Sequence, residues 1–513
     1  GARIGMTAVV TSVLGVAVLL LVSAIAGVPP ARRYVTKSDF YTAARAVAPW
    51  WNASAVGAGF TSAAAFLGLA GLIAGHGAPL LWYPVGVVVG YVVLLTLVVA
   101  PLRRSGAYTL CDFARWRLGS AAAGRVVTGV VLLIGVVYLM AQIHAGGAVL
   151  NALCGVPPWA GGCALAVVVA VVAIAGSTTN VQAVQFWVML AVLGVGALAL
   201  AVAWLTGLAA PPAADLPAHF ASPYGPGEAR GALGPAAGDL SPPGVLAVVL
   251  ASALGTMGLP HVTVRFYANP DGWSARRTVV AVLGMLGLFY LLPPVYGVLG
   301  GLYAPGAPAD RMMLLLPLRM LPGVPGEVLT GLLATGAFAA FLATSCGVVV
   351  TVGGTISSRV LGGGVGGLRV TVAGLLAVAL ALLRLVPHAN SLALVLFGLT
   401  IAAASLCPLL VLGIWWRGLS TTGAVAGMLA GGGAVAVLAG LAACAPEAVG
   451  AAGRYPALVA VPVAFAVMLA VSAATPRRVP PGEAEMMARM HLPERLAHHL
   501  LDRSSRGTDH SAD

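Results

Sequence analysis

Residues 258–270 read GLPHVTVRFYANP, at the end of one long apolar run and shortly before SARRTVVAV (274–282) opens the next. Glycine, proline, histidine and arginine do not serve simple lipid anchoring. Backbone that leaves a helix within a bilayer must also find other partners for its polar groups. The stretch therefore predicts a helix end with a functional role.

The composition around this stretch is that of a membrane protein. The 513 residues are 60% hydrophobic and 8% charged, far below the charged quarter, roughly, of soluble domains. The formal net charge is +12, but Lys and Arg lie in short loops rather than on one patch. This distribution argues against nucleic acid as a partner and favours membrane lipid as the surrounding of the protein. The six cysteines show no spacing typical of a metal site or a disulfide framework.

Thirteen apolar runs are long enough to cross a bilayer as helices, which predicts an all-α polytopic membrane protein. The first run exceeds a signal-peptide core and has its basic cluster after it, so we expect it to be retained. The runs lie near residues 6–28, 47–74, 78–100, 124–151, 159–176, 181–208, 243–264, 277–303, 327–357, 367–386, 391–414, 421–444 and 455–474.

Loop charges predict the orientation of these spans. With the N-terminus outside, seventeen Lys and Arg residues fall in inside loops and six in outside loops, excluding the final tail. The positive-inside rule then favours an extracellular N-terminus and a cytoplasmic C-terminus, in the plasma membrane. The Pro, Gly and Ala-rich segment 209–242 is expected outside, and the polar tail 476–513 inside, both mobile.

The acidic residues argue against catalysis within the bilayer. All fifteen are expected in loops, in the tail or at span ends, so no carboxylate pair or carboxylate relay is available at mid-membrane. The protein is therefore not expected to be an enzyme, and a bound cation would rely on neutral carbonyl and hydroxyl oxygens. His144 in the fourth span is the one titratable candidate for proton coupling, although a structural hydrogen bond is the favoured interpretation.

The second span contains a candidate interruption. Residues 53–71 read ASAVGAGFTSAAAFLGLAG, in which Gly57, Gly59, Thr61 and Ser62 cluster near the middle of the run. Weak helix formers and hydroxyls at this depth permit a break that frees backbone carbonyls. Close packing of helices explains small residues equally well, so both interpretations stay open.

Several motifs, in order along the chain, resemble the sodium/solute symporter family, and specifically its bacterial branch of acetate and short-chain monocarboxylate symporters. They cover roughly residues 34–440 and include SDFYTAARAV (38–47), PLRRSGAYTLCDFARWR from Pro101, YLMAQ (138–142), GTMGLPHVTVRFYANPD (255–271), FAAFLATS in the ninth span, and IAAASLCPLLVLGIWWRGLSTTGAVAG from Ile401.

The resemblance implies a leucine-transporter-like fold of two inverted five-helix repeats with substrate and ion near the midplane. The chain would then divide into a peripheral first helix (1–33), a first repeat (34–208), the extracellular loop (209–242), a second repeat (243–416), two peripheral helices (417–475) and the cytoplasmic tail (476–513).

The same resemblance implies a sodium site. Its backbone ligands correspond to Ala58 and Thr61 in the second span and to Ala340 in the ninth, and its hydroxyl ligands to positions 343 and 344. Thr344 fits the pattern, whereas Ala343 lacks the hydroxyl and Ser345 lies beside it. Gln182 stands where sugar-type relatives have a carboxylate, and Arg359 replaces a frequent acid.

For the substrate, the resemblance implies a small monocarboxylate such as acetate and contacts from Phe60, Ser62, Gln142, Thr256 and Ser405. No arginine is expected at mid-span, so the anion would rely on helix N-termini and hydroxyls. His261 and Arg265 are interpreted as stabilising the cytoplasmic face. A proton-coupled or other solute symporter, and a transporter-like receptor that binds without translocating, remain the alternatives.

Overall fold

The computed structural model describes residues 4–27, 48–62, 64–176, 179–212, 242–360, 365–386, 390–444 and 453–492. Within these ranges every regular element is a helix, as predicted. The SDFYTAARAV motif, most of the predicted extracellular loop (213–241) and the last part of the tail (493–513) lie outside the described residues, as does the side chain of Arg359.

The part of the chain before the long loop forms helices that we number in order. They are α1 (Met6–Gly27), α2 (Pro49–Phe60), α3 (Leu69–His76), α4 (Trp82–Val93), α5 (Val99–Arg104), α6 (Leu110–Leu118), α7 (Ala121–Cys154), α8 (Pro158–Gly176) and α9 (Thr179–Leu205). Short irregular turns join some of them: π-helical Ala64–Gly68 before α3, 3-10 Ala78–Leu81 before α4, and π-helical Leu94–Val98 before α5.

The part after the long loop continues the numbering. It contains α10 (Pro242–Gly258), α11 (Pro260–Thr263), α12 (Gly272–Tyr290), α13 (Leu292–Tyr303), α14 (Ala309–Met320), α15 (Val324–Val360), α16 (Val365–Leu383), α17 (Ser391–Trp415), α18 (Thr421–Cys444), α19 (Pro456–Ala474) and α20 (Glu483–His491). The 3-10 turn Val264–Ala268 extends α11, and the 3-10 turn Pro476–Arg478 follows α19.

The predicted spans agree with these helices. In the described residues, ten helical segments are unbroken, long and apolar enough to cross a membrane, and two bent pairs bring the total to as many as twelve. The shorter apolar helix Pro158–Ile174 occupies the place of the fifth predicted run. Each predicted run therefore coincides with a helix or a bent pair.

The second span is interrupted after Phe60. Its two halves, Pro49–Phe60 and Ala64–His76, are bent by 71° relative to each other. Thr61 leaves the helical conformation with ψ of 66°, and the amide of Ser62 donates to the carbonyl of Phe60 at 2.8 Å in a tight turn. Of the two open interpretations, the broken helix is therefore the one observed.

The seventh span is interrupted within the opening motif. Its halves, Pro242–Gly258 and Pro260–Ala268, are bent by 45°. Proline excludes helical ψ from the residue before it, and Leu259 is accordingly extended with ψ of 116°. Pro260 has no amide hydrogen, so it cannot donate to the carbonyl of Thr256 as a helical residue would.

Glycines allow the interrupted helix α10 to lie directly on the backbone of α17. A Cβ atom at Gly255 would lie 2.4 Å from the carbonyl oxygen of Leu399, and one at Gly258 would lie 2.8 Å from that of Ala402. Only a residue without a side chain permits this separation, which is the usual role of small residues between membrane helices. This contact holds the first half of the broken span against α17.

Part of the predicted mobile tail is ordered. Helix α20 packs against α5, buries Met487 and Met490, and places His491 against the ring of Trp415 with 4.8 Å between centroids. The Arg489 guanidinium lies 5.8 Å from the Trp116 ring. The prediction of a mobile tail is therefore wrong for residues 483–491, because their two buried methionines give this helix an apolar face.

Substitution of Gly255 by alanine should destabilise the protein. The added methyl group would overlap the backbone of α17, and overpacking of this kind costs about 1–3 kcal/mol. Gly284 on α12 provides the matched control, because a Cβ there meets nothing within 4 Å. Thermal unfolding in detergent should show a lower midpoint for Gly255→Ala than for Gly284→Ala; equal midpoints would contradict the close contact.

Candidate functional site

The two interrupted spans face each other at the centre of the molecule. A Cβ atom at Gly59, just before the first break, would lie 3.7 Å from Cδ2 of His261, just after the second. The His261 ring also lies against Tyr138 of α7, with 5.0 Å between ring centroids. Both breaks and α7 therefore meet around one buried imidazole, which is 3% exposed.

The candidate sodium ligands Ala58 and Thr344 are in direct contact. The Thr344 hydroxyl donates to the Ala58 carbonyl oxygen at 3.2 Å, and both residues are buried. The Thr61 hydroxyl donates to the carbonyl of Gly57 at 2.9 Å. Helix α15 is thereby joined to the last turn of α2, and the oxygens involved are neutral.

The other candidate ligands lie on the same part of α15. Ala340 is one turn before Thr344 and is 1% exposed. The Ala343 carbonyl accepts a hydrogen bond from the Gln182 side-chain nitrogen at 3.2 Å. Ser345 is also buried, and its hydroxyl has no hydrogen-bond partner in the described part of the chain. Ser345 is thus an uncommitted hydroxyl beside the position where Ala343 lacks one.

Two of the five substrate candidates, Phe60 and Ser62, lie at the first break, and a third, Gln142, is buried on α7. Phe60 meets the ring of Tyr91 edge-on at 5.6 Å between centroids. Ser62 is 1% exposed, and its hydroxyl makes no hydrogen bond to any described residue. Gln142 on α7 is fully buried. Ser62 therefore offers the break a free hydroxyl.

Thr256 and Ser405 differ from these three. The Thr256 hydroxyl donates to the carbonyl of Ser252 at 2.6 Å, and the Ser405 hydroxyl donates to that of Ile401. Each hydroxyl thus bonds the preceding turn of its own helix, as serine and threonine commonly do in membrane helices. Their geometry in this state fits helix packing better than an exposed binding position.

Arg265 forms an inner connection below the breaks. Its guanidinium donates to the Thr179 hydroxyl at 3.0 Å and to the side-chain oxygen of Gln182, while its carbonyl accepts from Asn52 at 2.9 Å. Because Gln182 also binds the carbonyl of Ala343, the chain of hydrogen bonds connects the 3-10 turn, α9, α2 and α15. The interpretation of Arg265 as a stabilising residue agrees with this geometry.

His261 is buried within the protein. Its assignment to the cytoplasmic face rested on the loop charges, which do not predict this burial. The helix breaks at Leu259, and the ring that follows lies beside Gly59 and Tyr138. Pro260, the first residue of the second half, is the sequence signal for the break.

A buried carboxylate, also missed, lies on the predicted outer side. Asp310 is 5% exposed on the short helix α14; its carboxylate lies 3.5 Å from Nε2 of His144 and accepts hydrogen bonds from the amide and hydroxyl of Ser391. Asp310 lies between two spans, as expected, but its burial and its partners were not predicted. Helices α14, α7 and α17 meet at this pair, which we call the outer pair.

The electrostatics of Asp310 follow from these partners. Burial alone would raise the pKa of its carboxyl group, but the hydrogen bond and charge of His144, together with both bonds from Ser391, hold the pKa below its ordinary value. The carboxylate form is therefore the one that the fold stabilises.

A family model matches residues 40–360 of the chain, and the family it describes is the sodium:solute symporter family. The chain belongs to that family. This family consists of transporters rather than enzymes, and the ten or more membrane-crossing helices make this symporter a multi-pass membrane protein.

Two relatives are similar to the symporter over most of its length. It is 30% identical over 440 residues to a monocarboxylic acid transporter of Corynebacterium glutamicum, covering 77% of each chain. It is 28% identical over 421 residues to the uncharacterized symporter YwcA of Bacillus subtilis, covering 78% of this chain and 80% of that one.

Solved structures agree on the fold. A Na+-coupled sialic acid symporter in a substrate-bound, outward-open state superposes with a TM-score of 0.68 at 12% identity, covering 92% of this chain and 98% of that one. Mhp1, a nucleobase-cation-symport-1 transporter, gives a TM-score of 0.55 at 14% identity, covering 89% and 99%. The symporter therefore has the predicted leucine-transporter-like fold.

Replacing Asp310 by asparagine should destabilise the symporter at neutral pH by about 1–3 kcal/mol, because the buried partners lose their charged acceptor. Since the folded carboxyl has the lower pKa, its stabilisation is present above about pH 3.9 and is lost as the pH falls through the folded value. Below about pH 4, the unfolding midpoints of Asp310→Asn and of the unchanged protein should therefore converge.

Glu485→Gln serves as the control for this substitution, because Glu485 is exposed on α20. It should leave the unfolding midpoint unchanged at every pH. If Asp310→Asn were equally silent at pH 7, the outer pair would contribute nothing to stability.

Proposed function

We propose that this symporter couples the inward movement of sodium to uptake of a small monocarboxylate, such as acetate, by alternating access. It would do so in the plasma membrane, with its N-terminus outside and its C-terminus in the cytoplasm. The family model and the C. glutamicum relative support solute symport. The geometry at the first break supports the choice of ion.

The contact between the Thr344 hydroxyl and the Ala58 carbonyl is the observation that carries the ion assignment. In the described part of the chain no three His, Cys, Asp or Glu side chains cluster, so a cation beside the break would meet neutral oxygens. Such ligands suit a hard cation such as sodium. On binding, the ion would take over the Ala58 carbonyl and the Thr344 oxygen, with Thr61, Ala340 and Ser345 supplying further oxygens.

Alternating access follows from how the breaks divide the molecule. The Arg265 and Gln182 connection joins elements on the predicted inner side, and the outer pair joins α14, α7 and α17 on the predicted outer side. Opening one set of contacts while the other stays closed would expose the centre to one side at a time. Ion binding at Ala58 and Thr344 would bias which set opens.

The substrate assignment sets the energetics of coupling. Transport of one sodium ion with one monocarboxylate moves no net charge. The membrane potential, which supplies about 2.3 kcal/mol per charge and 100 mV, therefore contributes nothing to the driving force. A tenfold sodium gradient then supplies about 1.4 kcal/mol, enough for about tenfold accumulation. Stronger accumulation requires a second cation.

Proton coupling is the second candidate, and the outer pair is the observation that favours it. The imidazole Nε2 of His144 lies 3.5 Å from the Asp310 carboxylate, so this pair places a basic side chain against a buried acid. Replacing sodium by choline while keeping an inward proton gradient separates the two mechanisms. Uptake that persists in choline and collapses with a protonophore would favour protons.

The proposal is tested in proteoliposomes by counterflow of labelled acetate, propionate or pyruvate, with and without sodium. We expect sodium to accelerate exchange of at least one of these anions in a saturable manner. Binding without exchange would indicate a receptor instead, and no uptake of any of the three under any gradient would refute monocarboxylate symport.

Thr344→Ala should weaken sodium dependence more than it weakens folding. Loss of the hydroxyl removes one ion ligand and one hydrogen bond, and we expect the half-saturating sodium concentration to rise at least tenfold. Thr335→Ala is the matched control on the same helix, because the Thr335 hydroxyl is buried but bonds its own helix at Gly331. An unchanged sodium response in Thr344→Ala would move the ion elsewhere.

A further inference from the structure

His261 is a buried polar side chain whose hydrogen-bonding groups are not satisfied. Its ring is 3% exposed, and neither ring nitrogen has a hydrogen-bond partner of good geometry in the described part of the chain. The backbone of Gly59 is a polar neighbour of the ring. Folded proteins leave few buried polar groups in this condition, and each such group calls for an explanation, such as a ligand.

The other histidines that the structure describes do not share this property. His76 bonds the Leu72 carbonyl at 3.2 Å, His491 bonds that of Met487 at 2.8 Å, and His144 faces Asp310. Among the described histidines, His261 therefore differs in that neither of its ring nitrogens has a hydrogen-bond partner of good geometry.

The position of His261 in the fold limits which ligand can satisfy its ring nitrogens. The ring follows the break at Leu259 and lies against Gly59 at the other break, where a side chain at position 59 would contact it. Three residues beyond Gly59, Ser62 carries a second buried hydroxyl without a partner. Unused hydrogen-bonding groups therefore occur at both interruptions.

An aromatic ring packs beside the imidazole. The Tyr138 ring lies 5.0 Å from the imidazole, measured between centroids. Helix α17 packs closely against Tyr138, since a Cβ atom at Gly398 would lie 2.9 Å from its ring. The Tyr138 ring thus offers an aromatic face to a small molecule beside His261.

The charge nearby favours an anion. Arg265, one turn after His261, acts on the ring through its positive charge, and its hydrogen-bond partners Thr179 and Gln182 are neutral. No acidic side chain in the described residues is paired with Arg265. An imidazole N–H with this positive charge one turn away favours an anionic ligand such as a carboxylate.

From these observations we infer that His261 is a substrate-binding residue, whose imidazole N–H donates to one carboxylate oxygen of the monocarboxylate. The Ser62 hydroxyl donates to the other oxygen, and Tyr138 packs against the hydrocarbon part. The inference rests on the proposed function and assigns the residue that recognises the acid group.

The test compares two substitutions of His261 in proteoliposomes supplied with labelled acetate, propionate or pyruvate. His261→Leu removes the donor and His261→Gln retains an N–H in a side chain of similar length. We expect the half-saturating anion concentration to rise at least tenfold in His261→Leu and to be partly restored in His261→Gln. The half-saturating sodium concentration should stay within about twofold.

A structural role would not change selectivity, so competition by acetamide provides the decisive readout. The unchanged symporter should prefer acetate over acetamide, and His261→Leu should lose most of this preference. His76→Gln is the control, since that ring has its own backbone partner, and it should alter neither value. If His261→Leu fails to fold, His261→Phe, which keeps an aromatic ring but has no donor, replaces it in the acetamide competition.

The two levels of failure are distinguishable. If the unchanged protein transports none of the three anions, the proposed function and this inference both fall. If it transports one of them and a folded His261 variant without an N–H donor keeps its affinity and its preference over the amide, only the inference is overturned.

Discussion

The structure depends on a hydrogen-bond partner for the backbone carbonyl of Ala58. A helix that is interrupted inside a bilayer must find partners for its freed backbone groups, because no lipid can supply them. Here the partner is the hydroxyl of Thr344, on the long helix α15. The same contact joins the broken second span to α15, so one hydrogen bond serves both folding and the proposed ion site.

The neighbouring contacts extend this connection to both sides of the molecule. Gln182 joins the carbonyl of Ala343, next to Thr344, to the guanidinium of Arg265. On the opposite side, α14 lies against Gly71 of the broken span and brings Asp310 to His144 and Ser391. The two breaks lie between these polar clusters, with His261 at their meeting point, which is the arrangement that alternating access needs.

The sequence predicted the features that depend on local composition. Span positions follow from apolar length, whereas Gly57, Gly59, Thr61 and Ser62 only permitted the first break, since close helix packing explained them equally well. Partners distant in the chain were not predictable, since neither Asp310 and His144 nor Arg265 and Gln182 share a local pattern. The burial of His261 beside Gly59 was not predictable either, because an apolar run does not reveal where Pro260 interrupts the helix.

Sodium is proposed to bind between the first break and α15. A high-resolution experimental structure of the symporter in saturating sodium, compared with one in choline, tests this site. We expect ion density within coordination distance of the Ala58 carbonyl and the Thr344 hydroxyl oxygen in sodium alone. The site would be refuted if, in sodium, the Thr344 hydroxyl still donated directly to Ala58 and no density lay beside it.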